Sequence, residues 1–364
     1  MNGESPAASP ADLMSPWLDE LKPYPVEETD GMVKLDAMEN PYTFPPALKK
    51  AWLETLATVE INRYPDPQAS ALKASWRKLL DLPDEAEMLI GNGSDELIHM
   101  LCLAYNRPGA SMLSPAPSFA VYPLAAQAVN MRYVGVPLNN ENFALQPQRF
   151  FEAIEEHDPS LIFIASPNNP TGNRFDVEDI RDIARCGRGL IVLDEAYWRF
   201  AGSNCIKALF DLDNIVFMHT LSKIGLAGVR LGALIGKPMW LEPLERVRMP
   251  YNVSSLTQAT ASFAIEHDQA FQAQVDELCH AREKMVASLS TIPGVTVWPS
   301  KTNFILFRVE KGAAYVHQRL RDVGVLMKKV HGAHSALENC LRVSIGTADE
   351  NGIFLDELAA VCRE

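Results

Sequence analysis

No two cysteines in this chain are close enough to form a C-x-x-C unit. Six thiols (Cys102, Cys186, Cys205, Cys279, Cys340 and Cys362) are scattered through 364 residues. A disulfide framework would be odd in a chain of this size, so free thiols in a reducing compartment are expected. Cations are scarce as well: 33 Lys and Arg stand against 46 Asp and Glu, a formal charge of −13. Nucleic acids and anionic membranes are held by clustered cations, so neither is expected as a partner. An acidic protein can still hold an anion in a local pocket. Long apolar runs are missing too. Runs such as Leu161–Ala165 and Leu190–Leu193 fall far short of the ~20 residues that a membrane-spanning helix needs. At the N-terminus Glu4, Asp12, Asp19, Glu20, Glu27, Glu28 and Asp30 face Lys22 alone, the wrong charge for a targeting peptide. A cytoplasmic protein is expected.

Two phosphate-binding motifs are incomplete. Glu96 stands where the third glycine of a dinucleotide loop would follow Gly91 and Gly93, and Pro238 replaces the hydroxyl residue that a P-loop needs after Gly236-Lys237. His331 and His334 have i, i+3 spacing without an evident third ligand, so no metal is expected.

With 47% hydrophobic and 22% charged residues, the chain can bury one large core and a smaller one. Residues 1–16 read as a loose arm, and Pro41 to Pro46 and Tyr64-Pro65-Asp66-Pro67 punctuate the entry to the main body. Short apolar runs then alternate with helical periods, the pattern of an α/β protein with a mostly parallel sheet flanked by helices. Met88–Ile90, Leu161–Ala165, Leu190–Leu193 and Ile215–Met218 read as buried strands. A capping box at Ser255-Leu256-Thr257-Gln258 opens one long helix to about Ser290. Strands follow at Val295–Trp298, Phe304–Phe307 and Leu341–Ile345, in a smaller α+β unit. The expected division is 1–60 (arm and part of the small domain), 61–250 (large domain) and 251–364 (small domain).

Each buried strand ends in polar or glycine-rich sequence, and open α/β sheets bind ligands beyond their carboxyl ends. Asp194 closes one strand, where burying a carboxylate is costly without a cationic partner. Alone, such an aspartate more often caps the next helix. Tyr197 three residues on, and Asn169 in Asn168-Asn169-Pro170-Thr171-Gly172, change that balance. Lys223 follows another strand and the small hydroxyls of Thr220 and Ser222. Arg230 comes seven residues later, past Gly225 and Gly228, which let the loop double back. Amides at Ser94 and Asp95, opening a helix after Gly91-Asn92-Gly93, make an anion site. Phe119 could stack on a planar ring or simply fill the core. His219 reads as a packed strand residue. An amide, a buried carboxylate, a phenol, a lysine and an arginine in this order suit pyridoxal 5'-phosphate (PLP). Asp194 would pair with the ring nitrogen, Asn169 and Tyr197 with the 3'-oxygen, and Ser94, Asp95 and Arg230 with the phosphate. Lys223 would bond to the aldehyde.

The order and spacing resemble the fold-type I PLP-dependent aminotransferases, and within them the histidinol-phosphate aminotransferases. That likeness runs from about Leu21 to the C-terminus. It is carried by Leu21-Lys22-Pro23-Tyr24, Leu35-Asp36-Ala37-Met38-Glu39-Asn40-Pro41, Arg63-Tyr64-Pro65-Asp66-Pro67, Gly91–Glu96 and Cys340–Thr347. The resemblance implies transamination of L-histidinol phosphate with 2-oxoglutarate in histidine biosynthesis, by a homodimer with shared active sites. It implies that Tyr64 reaches the cofactor phosphate of the partner subunit, and that Arg342 grips the substrate phosphate and, in the second half-reaction, 2-oxoglutarate. Tyr24, Asn40 and Lys328 fall at substrate-binding positions. Met38 stands where the family often has Asn, and Lys328 where it often has Arg. The interval from Lys223 to Arg230 is one residue shorter than in many relatives. An aromatic aminotransferase, a decarboxylase of a phosphorylated amino acid, and a non-catalytic PLP-binding protein are the alternatives on the same scaffold.

Overall fold

The computed structural model describes residues 9–19, 21, 27 and 30–364. Seven strands form one sheet: β2 (Glu87–Gly91), β3 (Ser111–Ala116), β4 (Arg132–Pro137), β5 (Leu161–Ala165), β6 (Leu190–Asp194), β7 (Ile215–Thr220) and β8 (Gly232–Gly236). Their order is β2-β8-β7-β6-β5-β3-β4. Pairing from β7 to β4 is parallel throughout, while β8 runs antiparallel to both β7 and β2. The expected mostly parallel sheet is therefore present, with an antiparallel segment at one side.

Central strands here are apolar on both faces because helices cover both faces. Along β5, Leu161, Phe163 and Ala165 join one hydrophobic cluster, and Ile162 and Ile164 join the other. Every residue of β5, β6 and β7 is buried. At ~1.5–3 kcal/mol per large side chain, these two layers dominate the folding free energy.

A second sheet contains β1 (Val33–Leu35), β9 (Val295–Val297), β10 (Phe304–Val309), β11 (Val325–Lys329) and β12 (Cys340–Ser344), in the order β1-β11-β12-β10-β9. The early strand β1 pairs in parallel with β11, so the start of the chain completes a sheet otherwise made from its end. Helix Asp268–Leu289 braces the two sheets. Its buried Arg282 donates to the carbonyls of Phe200 (3.2 Å) and Thr302 (3.0 Å), and its Asp268 accepts from Arg199 at 2.6 Å.

Two sequence expectations need correction. The single helix to Ser290 is two, Ser255–Glu266 and Asp268–Leu289, broken at His267. The His267 ring stacks on Phe263 and its Nδ1 lies 2.8 Å from the Phe263 carbonyl. The cap is Ser254, whose Oγ accepts from the Thr257 N–H at 3.1 Å. At the N-terminus, Pro10–Leu13 forms a short helical turn within the stretch read as a loose arm. Among the described residues no helix is long and apolar enough to cross a membrane.

Candidate active site

A cavity of about 780 Å³ lies between the carboxyl ends of the large sheet and the cavity-facing side of β1, β11 and β12. Phe119 enters it after β3, Asn169 after β5, Asp194 at the end of β6, and Lys223 just after β7. Neighbouring parallel strands thus gather residues that are far apart in sequence.

Asp194 is buried, with Oδ2 accepting from the Tyr122 hydroxyl at 2.7 Å and Oδ1 from the Ala196 N–H at 3.0 Å. Burial raises its pKa to about 6 despite these bonds, which favour the ionised form. Lys223, whose ammonium sits 5.7 Å from the Tyr197 ring centroid, is lowered to about 8. Burial is the largest cause, and the nearby Arg342 guanidinium adds to it. Both groups are pushed toward neutrality, one short of a cation and the other primed as a nucleophile or base.

Asn169 joins the two sides of the cavity. Its Oδ1 accepts from Arg342 Nη1 at 2.6 Å, and its Nδ2 lies 3.5 Å from the Tyr197 hydroxyl. Arg342 Nη2 donates to the Asp36 carbonyl at 2.7 Å. The same segment is pinned at Met38, whose N–H donates to Ser344 Oγ (2.8 Å) and whose carbonyl accepts from Asn303 (2.9 Å). Met38 adopts φ 55°, a left-handed conformation that asparagine tolerates best after glycine, and its sulfur lies 3.8 Å from Asn169 Nδ2.

The opposite end of the cavity carries groups that could hold an anion. Helix Ser94–Tyr105 points its first amides there, and Arg230 reaches across to Asp95 at 3.0 Å. Thr220 Oγ1 accepts from the Ser222 N–H at 3.1 Å and ties the turn to the Leu231 carbonyl at 3.0 Å. Close approach requires glycine at two points. A Cβ on Gly93 (φ +84°) would meet Arg230 Nη2 at 2.7 Å, and one on Gly232 would meet the Ser94 nitrogen at 2.8 Å. Gly232→Ala is therefore expected to cost about 1–3 kcal/mol of stability by overpacking, read as an earlier midpoint in denaturant unfolding.

Comparison with known proteins bears on this arrangement. The family model described as aminotransferase class I and II matches residues 30–358. The chain belongs to that family. Within it, this aminotransferase is 46% identical to histidinol-phosphate aminotransferase 2 of Nitrosococcus oceani, over 96% of its own length and 97% of the relative's. It is 45% identical to histidinol-phosphate aminotransferase 2 of Cupriavidus pinatubonensis, over 94% of each chain. These likenesses place it in the histidinol-phosphate aminotransferase family. Its fold matches the crystal structure of histidinol-phosphate aminotransferase from Sinorhizobium meliloti in complex with pyridoxal-5'-phosphate, with a TM-score of 0.86, 22% identity and 99% of each chain covered.

Of the residues singled out in the sequence, Ser94, Asp95, Phe119, Asn169, Asp194, Tyr197, Thr220, Ser222, Lys223, Arg230, Lys328 and Arg342 all line the aminotransferase's cavity. Asn40 does not. Its Nδ2 donates to Gln274 Oε1 at 3.0 Å and its Oδ1 accepts from the Tyr42 N–H, so it braces the helix Asp268–Leu289 instead. Tyr64 lies outside this cavity, 80% exposed and stacked on Tyr251 with ring centroids 4.4 Å apart. Tyr24 falls outside the described residues. His219 is a packed strand residue as expected, its Nε2 2.9 Å from buried Glu195. Sequence reasoning missed Tyr122 and Lys34. Tyr122 had no signal, because an aromatic on an apolar helix reads as core. Lys34 carried no local signal either; it lines the cavity and pairs with Glu39 and Asp36.

Proposed function

We propose that this aminotransferase holds PLP on Lys223 and transfers the amino group of L-histidinol phosphate to 2-oxoglutarate. The products are imidazole acetol phosphate and glutamate. We further propose a cytoplasmic homodimer in which Tyr64 of each subunit serves the partner's site, with the large domain at 61–250 and the remainder forming the small one. The exposure of Tyr64 away from its own cavity supports that exchange.

The pairing of Asp194 with Lys223 carries the reading. Two buried ionisable groups face one cavity with their pKa values at about 6 and about 8, each displaced toward its neutral form. A protonated ring nitrogen supplies the cation that Asp194 needs, and an aldehyde supplies the carbon for which a neutral Lys223 amine is suited. At the far end the amides of Ser94 and Asp95, with Arg230, fit a phosphate. The residues present therefore fit the coenzyme. When bound, PLP supplies an electron sink for the charge left at the substrate Cα.

The chain's own groups do the rest. Asp194 would pair with the ring nitrogen and keep it protonated, and Asn169 and Tyr197 would hold the ring by its oxygen. Phe119, which lines the cavity, would pack against the ring. Lys223 Nζ would take the proton from the substrate Cα and deliver it to the coenzyme carbon that keeps the nitrogen, with a pKa lowered to about 8, close to working pH as general acid–base chemistry requires. Arg342 and Lys328, Cα partners across β11 and β12, present two cations to the substrate phosphate or to a keto-acid carboxylate.

A half-reaction panel tests the substrate. Purified holoenzyme is mixed separately with histidinol phosphate, glutamate, phenylalanine, tyrosine and threonine phosphate while the coenzyme absorbance is followed. Histidinol phosphate and glutamate are expected to discharge the lysine-bound form. Fast conversion by phenylalanine with none by histidinol phosphate would overturn the substrate but not the class, and CO2 release from threonine phosphate would point to a decarboxylase.

A further inference from the structure

Tyr122 lies on the helix Val121–Ala128 that follows β3, fully buried beneath the cavity floor. Its ring stacks on Phe163 at 4.8 Å and meets Phe119 edge-on at 5.5 Å. Phenylalanine would satisfy that packing. The hydroxyl needs another explanation, and it donates to Asp194 Oδ2 at 2.7 Å in a buried setting where a hydrogen bond to a charged group is strong. We propose that Tyr122 is a positioning residue whose hydroxyl fixes the Asp194 carboxylate and keeps the shared proton on the coenzyme ring nitrogen. The proposal rests on the coenzyme reading above.

Donation of a hydrogen bond stabilises the ionised carboxylate and weakens it as a base. With the phenol in place, Asp194 stays charged and the ring nitrogen keeps its proton. Without it, the carboxylate becomes the stronger base and draws that proton to itself. The neutral ring then withdraws less charge, so the nitrogen joining it to Lys223 holds its own proton to higher pH. Several other groups act on this pair: Asp95 from the helix Ser94–Tyr105, Lys223 after β7, Tyr197 after β6, and Tyr133 on β4, whose hydroxyl is hydrogen-bonded to Ser114. Burial pushes the Tyr122 phenol well above its ordinary range, so it remains a donor at every pH at which the enzyme works.

The test compares the wild-type, Tyr122→Phe and Tyr122→Leu holoenzymes. The visible absorbance of the lysine-bound coenzyme is titrated with pH, and the coenzyme dissociation constant is measured alongside. Tyr122→Phe keeps the ring and loses one oxygen, so the titration midpoint is expected to move upward by about half a unit or more. The dissociation constant should rise about tenfold, the worth of one hydrogen bond to a charged group. Tyr122→Leu should shift the midpoint by the same amount. If the midpoint stays in place in Tyr122→Phe, or moves only in Tyr122→Leu, the proposal is overturned and ring packing is the residue's whole role. Tyr122→Phe decides the matter even if Tyr122→Leu fails to fold. A wild-type protein with no coenzyme band at all would bring down the coenzyme reading and this proposal with it.

Discussion

Lys223→Ala is expected to lower turnover by at least about 10⁴-fold, the upper range for losing a positioned general base, with the covalent attachment lost as well. Among the described residues two other amines line the cavity, Lys34 and Lys328, but both stand across it on the small sheet. Lys34 is engaged with Glu39 and with Asp36 at 3.2 Å. Neither can replace an amine that emerges from the end of β7. The anion end of the cavity does not involve Lys223, so the variant should still take up the coenzyme, reversibly and with the spectrum of the free aldehyde. Borohydride treatment of wild type should fix the label on Lys223 and nowhere else. A Lys223→Ala protein that transaminates at the wild-type rate, or a label on another side chain, defeats the assignment.

How far the sequence could be read depended on where each residue's partner lay. The strands β5, β6 and β7 were legible because helices cover both faces and force continuous apolar runs. Neighbouring β8 was not, since Gly232 and Gly236 bracket a short Ala-Leu-Ile core and glycine punctuates turns. The structure explains them: Gly232 lets the Ser94 nitrogen approach, and a Cβ on Gly236 would strike Val216 at 2.7 Å. In the same way β11 ends in Lys328 and Lys329, which lower its strand signal, although Lys328 faces the cavity.

The site shows the same division. Asp194, Lys223 and Asn169 stood out because each combines an unusual residue type with a strand end. The bond from Asn40 to Gln274 was not legible, because the partner lies 234 positions away and nothing local marks the contact. Tyr122 was invisible for a related reason: its partner is 72 positions downstream, and its apolar neighbours describe the ring rather than the hydroxyl. Local pattern reports which residues could carry chemistry. Only tertiary contact reports which of them are held ready.

Asp194→Asn is expected to have the second largest effect, a fall of about 10³-fold in kcat/KM. Asparagine keeps the side chain's size and an acceptor for the Ala196 N–H, so packing changes little; what is lost is the charge and the acceptor for the Tyr122 hydroxyl. Two unit charges about 4 Å apart interact by about 4 kcal/mol at an effective dielectric of 20, roughly a thousandfold in rate if that attraction is needed where charge builds on the ring. The coenzyme-free protein offers an independent check. Asp194 has a pKa raised to about 6, so below that pH its carboxyl is neutral and its attraction for a ring-nitrogen cation is lost. Coenzyme affinity should therefore weaken as pH falls through about 6 in the wild type, and this dependence should vanish in Asp194→Asn. Glutamate at the same position restores the charge but carries it one methylene deeper, away from the Tyr122 hydroxyl that holds Oδ2, so partial recovery is expected. A variant within tenfold of wild type, with its pH dependence intact, would mean that the buried carboxylate serves the fold and not the chemistry.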